Sequence, residues 1–220
     1  MVEFTLDTEH PVNIPCGDDN LEGILHIPKN VRGMILFAHG SGSSRLSTRN
    51  QHVAAILQNA KFATLLFDLL TPEEEAADVH TGIYRFDISF LADRLTGATH
   101  WVTHNPLLKT LPYGFFGAST GGGAALVAAA RLATDVKAVV SRGGRPDLAG
   151  ESLKYVEAPT LLIVGGLDEA VIKMNETAMQ QMHSVTDLKI VPGASHLFEE
   201  PGKLDVVAKL AKEWFEEYLA

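Results

Sequence analysis

The sequence has very little cysteine: Cys16 is the one thiol among 220 residues. A single thiol cannot form an intramolecular disulfide, so the fold cannot depend on one, and we interpret Cys16 as a half-buried bystander in an early strand. The first residues contain no basic start followed by an apolar segment, so we predict that the chain has no secretory signal. We therefore expect a cytoplasmic location. No apolar run approaches the length of a membrane-spanning helix.

Positive charge is also scarce. The 18 lysines and arginines are outnumbered by 27 aspartates and glutamates, which gives a formal net charge of −9. A chain without a basic field does not attract polyanions, so we predict no nucleic-acid partner and no binding to an anionic membrane surface. Histidine and cysteine do not cluster at metal-ligand spacing. We therefore predict neither a metal nor a cofactor.

Short apolar runs alternate with amphipathic segments along the whole chain. This alternation predicts an α/β fold with a mostly parallel sheet and helices on both faces. No linker or repeat interrupts the chain, so we predict a single domain over residues 1–220. The turn residues 17–20 lie between two apolar stretches and predict an antiparallel hairpin near the N-terminus.

The element boundaries follow from the apolar periodicity. Strands are predicted at residues 2–8, 12–16, 21–27, 33–38, 62–67, 113–117, 136–140, 159–164 and 188–191. Helices are predicted at residues 48–59, capped by Ser47, and at 85–104, 120–132, 170–182 and 203–219. The acidic segment before residue 80, which includes Glu73, Glu74 and Glu75, predicts an exposed polar loop.

One five-residue motif points to chemistry. It reads Gly117-Ala118-Ser119-Thr120-Gly121 and lies between a predicted strand and a helix of small residues. A G-x-S-x-G motif in this context is typical of a nucleophile elbow, a sharp turn that exposes the serine at the edge of the sheet. The alternative is a glycine-rich turn that only lets a helix pack closely.

A serine nucleophile needs a histidine base and an acid that orients the histidine. Asp168 follows the predicted strand 159–164 and is our candidate acid, with a helix cap as its alternative role. Asp147 is the runner-up, and Asp68 precedes the serine in the chain. His196 follows the last predicted strand and is the candidate base, since the chain order serine, acid, histidine is the one this fold uses.

Catalysis of acyl transfer also needs an oxyanion hole made of backbone N–H groups. We assign one donor to Thr120, the residue after the candidate nucleophile, and the second to Ser41, with Gly42 beside it as a further donor or substrate contact. The loop at 39–44 could also suit a phosphate, but it lacks the lysine of a phosphate-binding loop. We interpret His39 as an anchor of this loop.

These motifs together resemble the α/β-hydrolase superfamily, and within it the small dienelactone hydrolase-like proteins without a large cap domain. The resemblance lies in the elbow, the His39-Gly40 loop, Gly165-Gly166-Leu167-Asp168 and Gly193-Ala194-Ser195-His196, together with Arg85-Phe86-Asp87-Ile88 and the segment Ser141-Arg142-Gly143-Gly144-Arg145-Pro146-Asp147. Dienelactone hydrolases proper carry a cysteine where this chain has Ser119. The resemblance therefore implies a serine esterase more than a dienelactone substrate.

Three further residues have two interpretations each. Arg142 and Arg145 follow a predicted strand and could clamp a substrate carboxylate or phosphate, or could form structural ion pairs with acids such as Asp147. Phe116 could line an acyl pocket or pack in the core.

The function predicted from the sequence is hydrolysis of a small ester, lactone or thioester by Ser119, Asp168 and His196. A non-catalytic binding module on the same fold, and acyl transfer by the same residues, remain alternatives. The natural substrate and the oligomeric state stay open.

Overall fold

The computed structural model describes residues 4–219, in which the strands form one eight-stranded sheet. The strands are β1 (Glu9–Cys16), β2 (Asp19–His26), β3 (Gly33–Ala38), β4 (Phe62–Phe67), β5 (Tyr113–Ala118), β6 (Val136–Arg142), β7 (Thr160–Gly165) and β8 (Thr186–Val191). Their spatial order is β1-β2-β4-β3-β5-β6-β7-β8. The first two strands form an antiparallel hairpin, β2 is antiparallel to β4, and the remaining neighbours are parallel. The predicted α/β sheet with its N-terminal hairpin is confirmed.

Helices cover both faces of this sheet. They are α1 (Thr48–Asn59), α2 (Pro72–Thr81), α3 (Ile88–His104), α4 (Thr120–Leu132), α5 (Glu169–Met179) and α6 (Lys203–Tyr218). Alternate residues of β3 enter two separate apolar clusters, one shared with α3 and α4 and the other with α1 and α6. No helix within residues 4–219 is both long and apolar enough to cross a membrane.

The central strands are buried along their whole length, because helices cover them on both faces. Every residue of β3, β4, β5 and β7 is buried, which explains why these strands are continuous apolar runs in the sequence. Parallel strands end at the same edge of a sheet. The loops after β3, β5, β6, β7 and β8 therefore meet at one edge, where ligands bind in such folds.

The prediction of a polar loop before residue 80 is wrong, because this segment contains α2. The Thr71 hydroxyl accepts a hydrogen bond from the Glu74 N–H, and the Glu74 carboxylate accepts one from the Thr71 N–H at 2.8 Å. This reciprocal cap, with Pro72 at the first helical position, was readable in the sequence. The three glutamates lie in the first turn, where they interact favourably with the helix dipole.

Several other boundaries also differ from the prediction. The long helix begins at Ile88, not at residue 85, because the Asp78 carboxylate accepts hydrogen bonds from the N–H groups of Tyr84 and Arg85 and holds them in a turn. Helix α5 ends at Met179, three residues early. Of the strand predicted at 2–8, residues 2 and 3 lie outside the described residues, and residues 4–8 are turn and loop.

Phe116 is a core residue in this fold. Its side chain is fully buried and its ring lies 5.0 Å from that of Phe37. We predict that Phe116→Ala lowers the free energy of unfolding by about 3–5 kcal/mol, because the change removes packed apolar surface and leaves a cavity. Denaturant unfolding measures this, with Phe86→Ala as the control, since Phe86 is 62% exposed. Equal effects of the two changes would contradict the assignment of Phe116 to the core.

Candidate active site

Ser119 lies at the sharp turn between β5 and α4. Its backbone adopts φ 51° and ψ −121°, a region that residues with a side chain rarely occupy. The turn is held on both sides, because the Ser119 N–H donates to the Arg142 carbonyl at 3.2 Å and the Ser119 carbonyl accepts from the Arg145 N–H at 3.0 Å. The loop after β6 therefore fixes the strained serine in place.

Glycines around this turn are required by close packing. A Cβ atom on Gly121 would lie 2.5 Å from the His39 carbonyl oxygen, and one on Gly117 would lie 2.5 Å from the Gly121 carbonyl oxygen. A Cβ on Gly122 would lie 2.6 Å from the Ser141 hydroxyl. Helix α4 thus approaches its neighbouring strands more closely than any side chain allows.

Asp168 and His196 are brought together across 28 positions of sequence. The Nδ1 atom of His196 is 2.6 Å from Oδ2 of Asp168, and both side chains are partly exposed. Asp168 occupies the N-cap position of α5, but its side chain makes no capping hydrogen bond. The alternative role as a helix cap is therefore not the one that its carboxylate performs.

The two other candidate acids have different partners. The Asp68 carboxylate accepts from the backbone N–H and the guanidinium of Arg45. Asp147 forms a two-pronged ion pair with Arg145, at 2.9 and 2.8 Å. Of the three carboxylates considered, Asp168 is the one that contacts His196.

The loop that carries His196 is fixed by its backbone. The Ser195 N–H donates to both oxygens of Glu200 at 3.0 Å, and this hydrogen bond lowers the pKa of Glu200. The Leu167 N–H donates to the Ala194 carbonyl at 2.9 Å, which ties the loop to the one that carries Asp168. These bonds hold the acid and the histidine in one unit.

Ser119 and His196 both lie against the end of β6 and the segment that follows it. The His196 ring lies about 3.5 Å from the Cβ position of Gly143, next to the Arg142 carbonyl that accepts from the Ser119 N–H. Within residues 4–219 the Ser119 hydroxyl forms no hydrogen bond, to His196 or to another group. Such bonds are often long in unliganded sites and tighten when substrate binds.

The loop after β3 passes directly over Ser119. A Cβ atom on Gly40 would lie 3.0 Å from Cβ of Ser119, so the loop can come this close to Ser119 only with glycine at position 40. The Ser43 N–H donates to the Gly40 carbonyl at 3.2 Å, and Gly42 has φ 66°, as the third position of a type II turn requires. The Ser41 hydroxyl lies 3.0 Å from the Thr120 hydroxyl. The two residues predicted as oxyanion donors are therefore neighbours.

His39 anchors this loop as a neutral ring. Its Nδ1–H donates to the Gly40 carbonyl at 2.9 Å and its Nε2 accepts from the Leu69 N–H at 3.0 Å. Both ring nitrogens are thus occupied by backbone, which supports the anchoring role predicted for His39. Burial lowers the pKa of His39, because the charged ring would be desolvated.

The side chains of Arg142 and Arg145 have different partners and different exposure in the structure. Arg145 is half-exposed and paired with Asp147, the ion pair that the sequence left as an alternative. Arg142 is buried and its side chain runs toward α1, where Nη2 donates to Asn50 Oδ1 at 3.3 Å. Sequence reasoning missed Asn50 and Arg49 beside it, because a polar residue in the first turn of a helix is usually solvent-exposed.

Known proteins share this fold and this sequence. The sequence profile described as the dienelactone hydrolase family matches residues 21–219. The crystal structure of dienelactone hydrolase from Anabaena variabilis ATCC 29413 is 60% identical, with a TM-score of 0.95 over 97% of this chain and 99% of that one. Est1E from Butyrivibrio proteoclasticus with bound ferulic acid is 18% identical, with a TM-score of 0.80 over 94% of this chain and 98% of that one, and shows the fold alone.

A protein of Mycobacterium tuberculosis, provisionally named a phosphoribosyl transferase, is 54% identical over 211 residues in strains CDC 1551 and H37Rv. The match takes in 96% of this chain and 47% of the relative. The chain therefore spans about half the length of the curated relatives it matches.

We predict that His39 makes stability fall in mild acid. Below a pH of about 6.5, the unfolded chain takes up a proton that folded His39 resists, so the free energy of unfolding falls by up to about 1.4 kcal/mol per pH unit. His39→Gln keeps a donor and an acceptor without titrating and should lose this part of the slope. Denaturant unfolding between pH 5.5 and 7.5 measures it, with exposed His80→Gln as control. Identical slopes in the wild type and His39→Gln would refute the prediction.

Proposed function

This chain belongs to the dienelactone hydrolase family, and we propose that it is a serine hydrolase that cleaves a small ester, lactone or thioester through an acyl-enzyme on Ser119. The observation that carries the proposal is the hydrogen bond between His196 and Asp168, placed at the sheet edge that also holds strained Ser119. Few structural roles require a histidine, a carboxylate and a strained serine at the same edge.

In the proposed reaction, Nε2 of His196 takes the proton of Ser119 as the hydroxyl oxygen attacks the substrate carbonyl. Asp168 accepts a hydrogen bond from Nδ1–H, which keeps Nε2 free as a base and stabilises the ring when it becomes charged. His196 then gives its proton to the leaving group, which is the alkoxy oxygen of an ester or lactone or the sulfur of a thioester. A water molecule, deprotonated by the same histidine, hydrolyses the acyl-enzyme and restores Ser119.

Backbone N–H groups stabilise the developing oxyanion in this proposal. Thr120 is the first residue of α4, so its N–H has no partner inside the helix and lies at the positive end of the helix dipole. The loop of Ser41 lies over Ser119 and can supply the second donor. Donors fixed in this way need no reorganisation when the charge forms.

A serine at this position favours a general ester over a dienelactone. A cysteine nucleophile can ionise by itself near neutral pH, whereas a serine hydroxyl depends fully on its base. The short hydrogen bond of His196 to Asp168 is suited to that dependence.

The name of the Mycobacterium tuberculosis relatives suggests a different activity. Those proteins are about twice as long as the region they share with this chain, and the shared region is the one matched by the dienelactone hydrolase family. We propose that this chain corresponds to a hydrolase half of such a protein, and that the transferase name belongs to the remainder.

A fluorophosphonate probe tests the nucleophile directly. We expect the wild-type protein to be labelled at Ser119, as mapped by mass spectrometry, and Ser119→Ala to remain unlabelled. On short p-nitrophenyl esters, Ser119→Ala and His196→Ala should each lower kcat by at least about a thousandfold, because the residues of a triad act as a unit.

The matched control for this experiment is Ser89→Ala, since Ser89 is exposed on α3 and its hydroxyl contacts Arg131, in the last turn of α4, and none of the candidate catalytic residues. Folded wild-type protein that neither labels nor turns over any ester would favour a non-catalytic binding module. Labelling together with faster product formation in the presence of an added alcohol would favour acyl transfer to an acceptor other than water.

Replacing the Ser41 side chain separates a backbone donor from a hydroxyl donor. We predict that Ser41→Ala lowers kcat by less than about fivefold, because the proposed donor is the backbone N–H, which the change retains. Loss of an oxyanion donor typically costs about a hundredfold or more. A steady-state measurement that shows a loss of that size would assign the donor role to the hydroxyl and contradict the proposed geometry.

A further inference from the structure

Arg142 is a buried cation with almost no partner. Its side chain is 6% exposed, and Nη2 donates to the neutral amide of Asn50 at 3.3 Å. Its Nε is buried and has no hydrogen-bond partner. Within residues 4–219 no carboxylate forms an ion pair with this guanidinium. Of its five N–H donors, one therefore forms a hydrogen bond to the protein within residues 4–219, and that bond is long.

A second arginine lies beside it. Arg49 precedes Asn50 in the first turn of α1, and burial together with the charge of Arg49 lowers the pKa of Arg142 to about 10. Arg142 therefore remains charged at neutral pH. The Nη1 of Arg49 pairs with the exposed carboxylate of Glu199 at 3.2 Å. The first turn of α1 contains no acidic residue, so the positive end of that helix is not neutralised either.

Such an arrangement of charges is unfavourable by itself. A buried charge needs an opposite charge or a full set of hydrogen bonds, and removal of the charge usually stabilises a protein when these are missing. Arg145, three residues further on, shows the ordinary solution, because it forms a two-pronged pair with Asp147. Among residues 4–219 Arg142 has no such acid, and we infer that a bound anion supplies its counter-charge.

The position of this pair connects it to the candidate active site. The carbonyl of Arg142 accepts the hydrogen bond from the Ser119 N–H, so the two residues are adjacent across β5 and β6. Glu199, the partner of Arg49, lies three residues after His196. The two arginines therefore lie near the end of β6, the start of α1 and the loop that carries His196, with Arg142 buried and Arg49 one-third exposed.

We propose that Arg142 and Arg49, together with Asn50, form a binding site for a small oxyanion, namely a carboxylate or phosphate group. Guanidinium groups bind both through parallel N–H···O hydrogen bonds. The oxyanion comes either from an anionic group of the substrate or from a free inorganic ion. The proposal of an oxyanion site does not depend on the proposed hydrolase activity. Only the possibility that the oxyanion belongs to the substrate rests on that proposed function.

Binding of inorganic phosphate tests the site without any activity. The wild-type protein should be stabilised by phosphate in a saturable manner, relative to chloride at equal ionic strength and pH, in thermal unfolding and calorimetric titration. Arg142→Gln should weaken phosphate binding at least tenfold, and Arg142→Lys less, because it keeps the charge. The control is Arg131→Gln, which removes an exposed arginine paired with Asp93 and should bind as the wild type does.

Stability without phosphate separates a binding arginine from a structural one. We expect Arg142→Gln in phosphate-free buffer to unfold at the wild-type temperature or above it, because it removes an uncompensated buried charge. If Arg142→Gln does not fold, Arg49→Gln decides, since Arg49 is one-third exposed and should also weaken phosphate binding. The proposal is overturned if phosphate stabilises the wild type no more than chloride does, or if both variants keep wild-type affinity.

A pair of esters distinguishes the two sources of the oxyanion. The p-nitrophenyl ester of hexanoic acid and the p-nitrophenyl monoester of adipic acid have equal acyl chains, and the second ends in a carboxylate. For a substrate-borne oxyanion, Arg142→Gln should lower kcat/KM of the adipate ester at least tenfold and that of the hexanoate ester less than threefold. If the oxyanion is instead a free ion, added phosphate should change kcat/KM of both esters by the same factor. If neither ester is cleaved, the hydrolase proposal fails, and phosphate binding still decides on the site.

Discussion

The strained turn at Ser119 is the constraint on which the site depends. A serine at φ 51° and ψ −121° is held by hydrogen bonds from two directions, one to Arg142 and one from Arg145. Backbone strain of this kind persists only where the surrounding structure over-determines it. Here the surroundings are glycines packed so closely that a Cβ atom on Gly117 or Gly121 would overlap neighbouring backbone. The same packing brings the start of α4 and the loop of Ser41 together over the serine.

Charge is distributed unevenly at this edge of the sheet. The chain as a whole carries a net charge of −9, which disfavours binding of polyanions. Asp168 and His196 nevertheless form a close pair, and His39 is kept neutral by its backbone partners. Buried Arg142 and the partly exposed Arg49 place two positive charges near each other. A repulsive overall field is compatible with a local site for one small oxyanion, because burial greatly reduces screening and lets the nearest charges dominate.

The sequence was most reliable where a pattern depends on neighbouring residues. The bounds of β3, β4 and α4 were predicted as the structure has them, because continuous apolar runs and a glycine-rich helix start are local signals. Helix α2 was missed because three consecutive glutamates suggested solvent exposure, although the cap by Thr71 and Glu74 was present in the sequence. The turn before Ile88 could not be read, since it depends on the side chain of Asp78.

The sequence by itself determined the fold class, most of the helix-forming and strand-forming segments and the motif around Ser119, because these depend on periodicity and on glycines within a few residues. Tertiary structure alone decided which charges meet. It paired Asp168 with His196 and assigned Asp68 to Arg45 and Asp147 to Arg145. It also placed Arg142 beside Asn50, with no carboxylate partner among residues 4–219. The physical reason is that the strand order of a parallel sheet brings the ends of distant segments together. Whether a side chain is paired or buried depends on the neighbours that this order places beside it.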